Sequence, residues 1–543
     1  MEIVISLYIL IWLKLCEEKL KKSLHILQLE GYNSDKYIYW MQNNKERVHT
    51  RDDKIYVTLL LILSLSLILI SPLPRTPVYP LIYAGISLFF AVKNSRLAEE
   101  AKKPLVFTKR AKRLFGIALF LVLFDLMLTL IVIRWLSKDI LAYFAVWAGI
   151  LTVIYYFSSF YMYGANIISK PIEERINKKY YVAASEKIKN MKIISVAITG
   201  SYGKTSTKFI TETILKEKYK VLKTPESYNT PMGISKVINN DLTGDYDVFI
   251  AELGATKIGD IDEVAKLTNP KIGIITSIGP CHLETFKSID NIMRTKYELI
   301  ENLPDDGTAI FNYDNPHARK LADKTFKNKL VYGIDSFEDT DVFATDIHVD
   351  SLGLAFTLCI RSLGAIECRT RLLGRHNILN ILGGAAIASV LGLTLEEIKR
   401  GISKLEPVEH RLQLIDPGTG VLVIDDAFNS NPDGAKAALD VLNSFKDRRK
   451  IIVTPGMVEL GDLEETENFR FGELIASVCD VAILIGKKRT MPIYRGMKKH
   501  NFNEDNLYVV NSLNEATELI KNITKINDVI LFENDLPDTY DEK

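Results

Sequence analysis

The chain has 543 residues, with 68 Lys and Arg against 67 Asp and Glu, and its formal net charge of +1 gives no polyelectrolyte grip on nucleic acid. That length is enough for three or more domains. Hydrophobic content is 47% but unevenly spread, and the five cysteines (Cys16, Cys281, Cys359, Cys368, Cys479) lie far apart without metal-ligand spacing, so they read as reduced thiols of a cytosolic compartment.

Apolar runs crowd the first third, at 55–70, 78–92, 114–133 and 140–163. A bilayer span takes about 20 apolar residues. The last two runs reach that length, and the first two borrow flanking residues. Pro72, Pro74, Pro77 and Pro80 mark a tight turn between the first pair. The run Ile3 to Leu15 is too short to assign: it is either a fifth span or an interfacial helix. No small-residue cleavage site accompanies it, which argues against a removed signal peptide. Lys93, Arg96, Lys102, Lys103, Lys109, Arg110, Lys112 and Arg113 lie between the second and third spans, which predicts a cytoplasmic loop there. Two more spans return the chain to the cytoplasm near Lys170. Asp125, inside the third span, reads equally as a functional polar site or a helix-packing partner.

A polar helix is predicted over 171–190. Beyond it, short β-branched runs alternate with helical patterns: Val248–Glu252, Ile272–Thr276, Val421–Asp425, Lys450–Thr454, Val481–Ile485 and Val529–Phe532. Such alternation predicts α/β layers, parallel sheets with crossover helices. A boundary falls near 405–412, at Pro407 and a charged stretch. The predicted organisation is a membrane region at 1–170, a linker helix at 171–190, an ATPase domain at 191–407 and a smaller Rossmann-like domain at 408–535. There is no internal repeat, and the polar tail Asp535–Lys543 is expected to fray.

The stretch that organises the chain is 194–207. An apolar β-type run ends in Thr199 and Gly200, a tight loop of Ser201, Tyr202 and Gly203 follows, and Lys204, Thr205, Ser206 and Thr207 open a helix. Glycines let backbone N–H groups turn inward, the helix N-terminus adds positive potential, and a lysine reaches outer phosphates. A hydroxyl such as Thr205 suits Mg²⁺. The common phosphate loop has four residues between its first Gly and Gly-Lys. Here only Ser201 and Tyr202 intervene.

Other polar groups gather at strand ends. Glu252 closes a buried strand, where an acid can hold Mg²⁺ beside the loop. His282 follows the strand Ile272–Ser277, at the end of a parallel strand where ligands of open α/β sheets collect. Lys296 lies 14 residues later on a helix starting near Ile289; by itself it reads as a surface lysine. Asn312 and Asp314 follow a strand. Arg375, His376 and Asn377 cluster before an Ala/Gly-rich helix, where a base or ribose can be held. Asp425, Asp426, Asn429 and Asn431 form a polar crest ahead of Pro432, and Thr454–Gly461 ends the next strand in the same manner.

Taken in order, these motifs resemble the Mur ligases of cell-wall synthesis, nearest the branch that adds D-alanyl-D-alanine, over about residues 191–525. The resemblance implies a P-loop-type ATP-binding central domain and a Rossmann-like C-terminal domain. It implies ATP at Gly200, Ser201, Gly203, Lys204, Thr205 and Ser206, and Tyr228–Gly233 resembles the family segment that follows the first helix. Glu252 and His282 fall on Mg²⁺-associated positions. Lys296 matches a lysine that the family carbamylates into a second Mg²⁺ ligand. Asn377 matches an adenine contact, and Arg411, Asp426, Asn429 and Asn431 match C-terminal nucleotide positions; Asn312 is a nucleotide-contact candidate by its place after a strand alone. Lys204, His282 and Lys296 are then the catalytic candidates. The implied reaction phosphorylates a carboxylate with ATP and passes the acyl group to an amine, an ADP-forming acid–amino-acid ligation. Implied partners are a UDP- or lipid-linked cell-wall precursor and an amino acid or dipeptide, with no nucleic acid. The apolar runs and the basic loop add the lipid bilayer, a cell-wall synthesis complex and an expected location in the cell membrane, multi-pass, with cytoplasmic catalytic domains. Two departures stand out. Membrane-type runs occupy the place of the family's UDP-binding domain, and Phe532-Glu533-Asn534-Asp535 stands where the family has Lys-Gly-Ser. The alternatives are an amide ligase on a lipid-linked or non-peptidoglycan polymer precursor, and a membrane protein with a regulatory ATPase. Intact Lys204, Glu252, His282 and Lys296 argue against a degenerate binding module.

Overall fold

The computed structural model describes residues 2–69, 78–96, 104–136, 143–226, 228–281, 283–350, 353–428 and 430–536. The chain divides into two compact units, up to Ile176 and from Asn177. That division falls inside a single helix, Ser158–Asn190.

The first unit is helical. Its long helices are Glu2–Leu29, Arg51–Leu69, Val78–Arg96 and Lys109–Leu136, followed by Phe144–Tyr156 and the start of Ser158–Asn190. Aromatic side chains fill its centre: Tyr8, Trp12, Tyr56, Tyr83, Phe144 and Trp147. Polar groups there are paired. Tyr56 and Ser87 hydroxyls meet at 3.0 Å, Ser64 and Tyr83 at 2.7 Å, and Lys19 faces Asp53 at 3.6 Å. Large aliphatic and aromatic residues such as Leu65, Phe89, Phe120, Phe124 and Ile131 point outward.

Four spans are not found among the described residues. One helix, Lys109–Trp135, is long and apolar enough to cross a membrane. A second qualifies only if the pair Phe144–Tyr156 and Ser158–Asn190, bent by 60°, is one broken span. The run at 55–70 belongs to a helix that opens with Arg51, Asp52, Asp53 and Lys54, which shortens its apolar part. The apolar part of the next helix, Val78–Lys93, is also short. The run Ile3 to Leu15 is neither isolated nor short in structure, because it forms the first half of Glu2–Leu29. The linker helix expected at 171–190 is continuous with the apolar segment before it, and Pro171 sits inside the helix. Asp125 accepts a hydrogen bond from the Tyr161 hydroxyl, as a packing partner does. Pro72, Pro74, Pro77, Lys102, Lys103 and residues 537–543 lie outside the described residues.

The second unit holds two sheets. The first contains β1 (Ile194–Thr199), β2 (Val221–Lys223), β3 (Val248–Glu252), β4 (Ile272–Ile275), β5 (Thr308–Asn312), β6 (Lys329–Gly333), β7 (Val342–Asp350), β8 (Gly353–Ile360) and β9 (Gly364–Thr370). Their spatial order is β2-β3-β1-β4-β5-β6-β7-β8-β9. Strands β1, β3 and β4 are buried on both faces, which suits their predominantly apolar content. Strand order reverses at β1, and at such a switch point the carboxyl ends of neighbouring strands splay into a crevice. Strand alternation correctly anticipates the parallel core but not β7, β8 and β9, which pair antiparallel as a meander. Burial in β8 alternates residue by residue, so this part follows a hairpin rule rather than a crossover rule.

The second sheet runs β10-β11-β15-β12-β13-β14, from β10 (Gln413–Ile415), β11 (Leu422–Asp426), β12 (Arg449–Thr454), β13 (Val481–Ile485), β14 (Leu507–Val510) and β15 (Asp528–Glu533). Only β10 is antiparallel to its neighbour. All five cysteines are free.

Candidate functional site

Strand β1 delivers the chain into the loop Gly200–Gly203 at the crevice, and the helix Lys204–Leu215 leads away from it. Two glycines make the loop possible. Gly200 has φ +155°, and a Cβ there would lie 2.1 Å from the Thr276 Oγ1. Gly203 has φ +78°, and its Cβ would lie 2.6 Å from the Asn380 Oδ1. Both positions favour a residue without Cβ. The loop is pinned to the crest after β4: the Ser201 amide donates to the Ser277 carbonyl at 2.6 Å, and the Tyr202 hydroxyl donates to the Pro280 carbonyl at 2.6 Å. The Lys204 ammonium donates to the carbonyls of Gly200 at 2.8 Å and Ser201 at 3.1 Å, so it lies folded over its own loop.

Glu252 ends β3 beside this loop and is almost wholly buried. Its carboxylate accepts from the Lys208 ammonium at 3.0 Å and the Asn229 amide at 3.3 Å. Burial works to raise its pKa, but Lys208 and Lys204 outweigh it and hold the carboxyl below the usual glutamate range. Lys296 is enclosed on the helix Ile289–Glu301, with 2% of its surface exposed. Burial, reinforced by the Lys204 charge, pulls its pKa down to about 7. A lysine at that value carries a substantial neutral fraction, which is the nucleophilic form.

The cleft, about 500 Å³, is lined from the first sheet by Ser201, Gly203, Lys204, Thr205, Ser206 and Glu252. Asn312 and Asn377 line it deeper. Asn312 ends β5 and accepts from the Asp314 amide at 3.1 Å. Asn377 donates to the Leu373 carbonyl at 2.8 Å and accepts from Asn380 at 3.0 Å. His376 beside it stays neutral, because burial lowers its pKa to about 4. Arg375 instead pairs with Asp335 at 2.7 Å on the surface.

The second sheet contributes Arg411, Asp426 and Asn431 to the same cleft. The Arg411 guanidinium lies 4.2 Å from the Phe428 ring centroid, a cation–π contact. Asn431 caps the helix Pro432–Ser444 by accepting from the Gly434 amide at 2.9 Å, so its side chain already has a structural partner. Asp426 is half-buried, and burial raises its pKa to about 6 against the pull of Arg411.

The structure therefore brings Ser201, Gly203, Lys204, Thr205, Ser206, Glu252, Asn312, Asn377, Arg411, Asp426 and Asn431 to one cleft. Gly200 supports it from behind, and Lys296 is packed near Lys204 and Cys281. His282 and Asn429 lie outside the described residues. Sequence reasoning missed Lys208, Asn229, Asn380 and Glu533. Lys208 had a signal, being four residues after Lys204 and so on the same helical face. Glu533 sits in the segment already singled out as unusual.

Among the described residues, no group of three or more His, Cys, Asp or Glu is placed to hold a metal ion. An ionised Glu252 and the hydroxyl of Thr205 are hard oxygen donors at the loop, and Mg²⁺ is commonly held by one or two such groups shared with phosphate oxygens. The donor set fits Mg²⁺ held jointly with a nucleotide rather than a protein cage.

Residues 198–388 match the Mur ligase middle domain, and residues 410–533 match the Mur ligase, glutamate ligase domain. The UDP-N-acetylmuramoyl-tripeptide–D-alanyl-D-alanine ligase of Escherichia coli is 34% identical over 294 residues, 54% of this chain and 64% of that protein. The enzyme of the same name from Bacillus subtilis is 30% identical over 340 residues, 62% of this chain and 72% of that protein. The crystal structure of MurF ligase from Thermotoga maritima in complex with ADP superimposes with a TM-score of 0.59 at 25% identity, covering 66% of this chain and 80% of that one. The chain thus spans just under two thirds of the first relative's length.

Proposed function

The chain belongs to the Mur ligase family, whose members use ATP and Mg²⁺, and from this we propose that it is an ADP-forming amide ligase of the D-alanyl-D-alanine-adding type. The observation that carries the reading is the single cleft in which the glycine loop and Lys204 of one sheet meet Arg411 and Asp426 of the other. Its roles follow from its chemistry. Backbone N–H groups of Tyr202 to Lys204 cradle phosphates. Lys204 leaves its loop carbonyls to neutralise charge on the transferred phosphoryl group. Thr205, Glu252, His282 and a carbamylated Lys296 are the residues to hold Mg²⁺, which when bound screens the phosphates and the substrate carboxylate. Asn312 and Asn377 face the base, and Arg411, Asp426, Asn429 and Asn431 complete the nucleotide site from the second sheet. Phosphorylation of the acceptor carboxylate gives an acyl phosphate, an amine attacks it, and phosphate leaves. Closing the two sheets on the cleft keeps water from that intermediate. The domains are 191–407 and 408–535, preceded by 1–170 and the helical segment 171–190.

The acceptor is read as a UDP- or lipid-linked peptidoglycan precursor and the incoming amine as a dipeptide. A membrane anchor is part of the proposal, with the catalytic domains on the cytoplasmic side. What supports it is the inverted polarity of the first unit. Lys19, Asp53, Ser64 and Ser87 are buried, while Phe120, Phe124, Met127 and Ile131 of the helix Lys109–Leu136 are exposed. Outward apolar and inward polar side chains suit a lipid surround. The deciding assay follows ADP release by the full chain with precursor and dipeptide supplied together and singly. Release that ignores either substrate would contradict ligation.

A further inference from the structure

Strands β11 and β15 lie side by side, and their register sets Asp426 against Glu533. Both carboxyls stand at the carboxyl ends of parallel strands, yet only Asp426 reaches the cleft. Glu533 is 1% exposed. One of its oxygens accepts from the Ser430 hydroxyl. The other is buried and receives no N–H or O–H from any described residue. Its neighbour across the strand pairing is Asp426, whose negative charge adds to burial in disfavouring an ionised Glu533. Two carboxylates cannot occupy that geometry in ionised form. A single proton between them removes the repulsion and satisfies the orphaned oxygen.

We propose that Glu533 is a proton-holding positioning residue: its carboxyl donates a hydrogen bond to Asp426, so the pair carries one negative charge and Asp426 is fixed in one orientation towards the cleft. The Asp426 oxygen Oδ1 accepts from the Leu412 amide at 3.2 Å, and the Asn534 amide binds the Asp426 carbonyl at 3.1 Å, so the backbone holds the same pose. The charged groups around the pair are Arg411 from the segment before β10 and Asp425 beside Asp426 on β11. The Asp425 charge is engaged by His410 at 2.7 Å. Burial raises the Glu533 pKa well above the usual glutamate range, in keeping with a retained proton. The consequence for the cleft rests on the nucleotide reading above; the shared proton does not.

The test uses the full chain and Mg·ADP as probe. Difference infrared spectra at pH 7.5 between the parent and Glu533→Gln should show a protonated-carboxyl band that the substitution removes. Glu533→Gln, which still donates a hydrogen bond, should keep Mg·ADP affinity within about threefold, whereas Glu533→Leu should lose about tenfold or more. Parent affinity should weaken on the alkaline side as the last proton leaves, and Glu533→Gln should not follow. Absence of the band, or equal losses in both variants at unchanged thermal midpoint, would overturn the proposal. If the band is present but Asp426→Asn leaves Mg·ADP affinity unchanged, the shared proton stands and the nucleotide role of Asp426 falls.

Discussion

The Lys208 ammonium lies 3.0 Å from the Glu252 carboxylate, and both side chains are shut off from solvent. One belongs to the helix after the phosphate loop and the other to the end of β3. Lys208 also donates to the Glu226 carbonyl, so it ties together three segments around the loop. Removing one partner of a buried pair leaves an uncompensated charge and costs about 3–5 kcal/mol. Lys208→Met should therefore lower the thermal midpoint of the protein without ligand. It should also lower the Mg²⁺ concentration needed for half-maximal nucleotide binding, because Glu252 then lacks its protein cation. An unaltered midpoint together with unaltered Mg²⁺ dependence would remove Lys208 from the site.

Among the described residues, the Lys204 ammonium donates hydrogen bonds only to carbonyls of its own loop. Lys204→Ala should retain the fold, judged by circular dichroism. Its ATP-dependent turnover should fall roughly 10²–10³-fold, the size typical for losing one preorganised charge-stabilising group. Turnover near the parent level would exclude Lys204 from phosphoryl transfer.

Gly200→Ala tests the loop geometry. The added methyl group would meet the Thr276 hydroxyl at 2.1 Å in a backbone region that side chains rarely adopt. Nucleotide affinity should drop sharply, and Gly200→Ala combined with Thr276→Gly should recover part of it. Parent-like affinity in the single variant would mean that the loop is not held as described.

Lys296 is expected to carry a carbamate. Its burial pulls the amine towards the neutral form that CO₂ requires, and the product replaces an ammonium, which repels Mg²⁺, by oxygen donors. Lys296→Ala should lose most activity, and short carboxylates such as acetate should restore part of it. Intact-protein mass spectrometry under CO₂ with chemical trapping should find the adduct on Lys296. Full activity in the alanine variant would refute the role.

Much of this was legible in the residues because local chemistry and tertiary need coincide. Glycines, Lys204 and hydroxyls at 200–207 suit one loop only, and apolar runs such as 248–251 and 272–275 belong to doubly covered parallel strands. Lys208 was legible only by its place four residues after Lys204, because a lysine in a helix normally faces water and it is Glu252 from a distant strand that brings it inside. Glu533 was visible as an oddity, but its partner is set by the pairing of β11 with β15, a non-local contact. Among the described residues, the N-terminal apolar runs outnumber the helices long and apolar enough to cross a membrane. Hydropathy marks where side chains avoid water, whereas helix length and flanking charges, as at Arg51–Lys54, decide what can cross a bilayer.

The acyl-phosphate route is tested most directly by isotope transfer. The full chain is given ATP, Mg²⁺, D-alanyl-D-alanine and a UDP- or lipid-linked muramoyl tripeptide whose terminal carboxylate carries ¹⁸O at both oxygens. The expected result is one ¹⁸O in the released phosphate for each amide formed, with ADP in equal amount and no release when either substrate is withheld. ADP and amide formed with all the ¹⁸O retained outside phosphate, or ATP hydrolysis indifferent to both substrates, would contradict it.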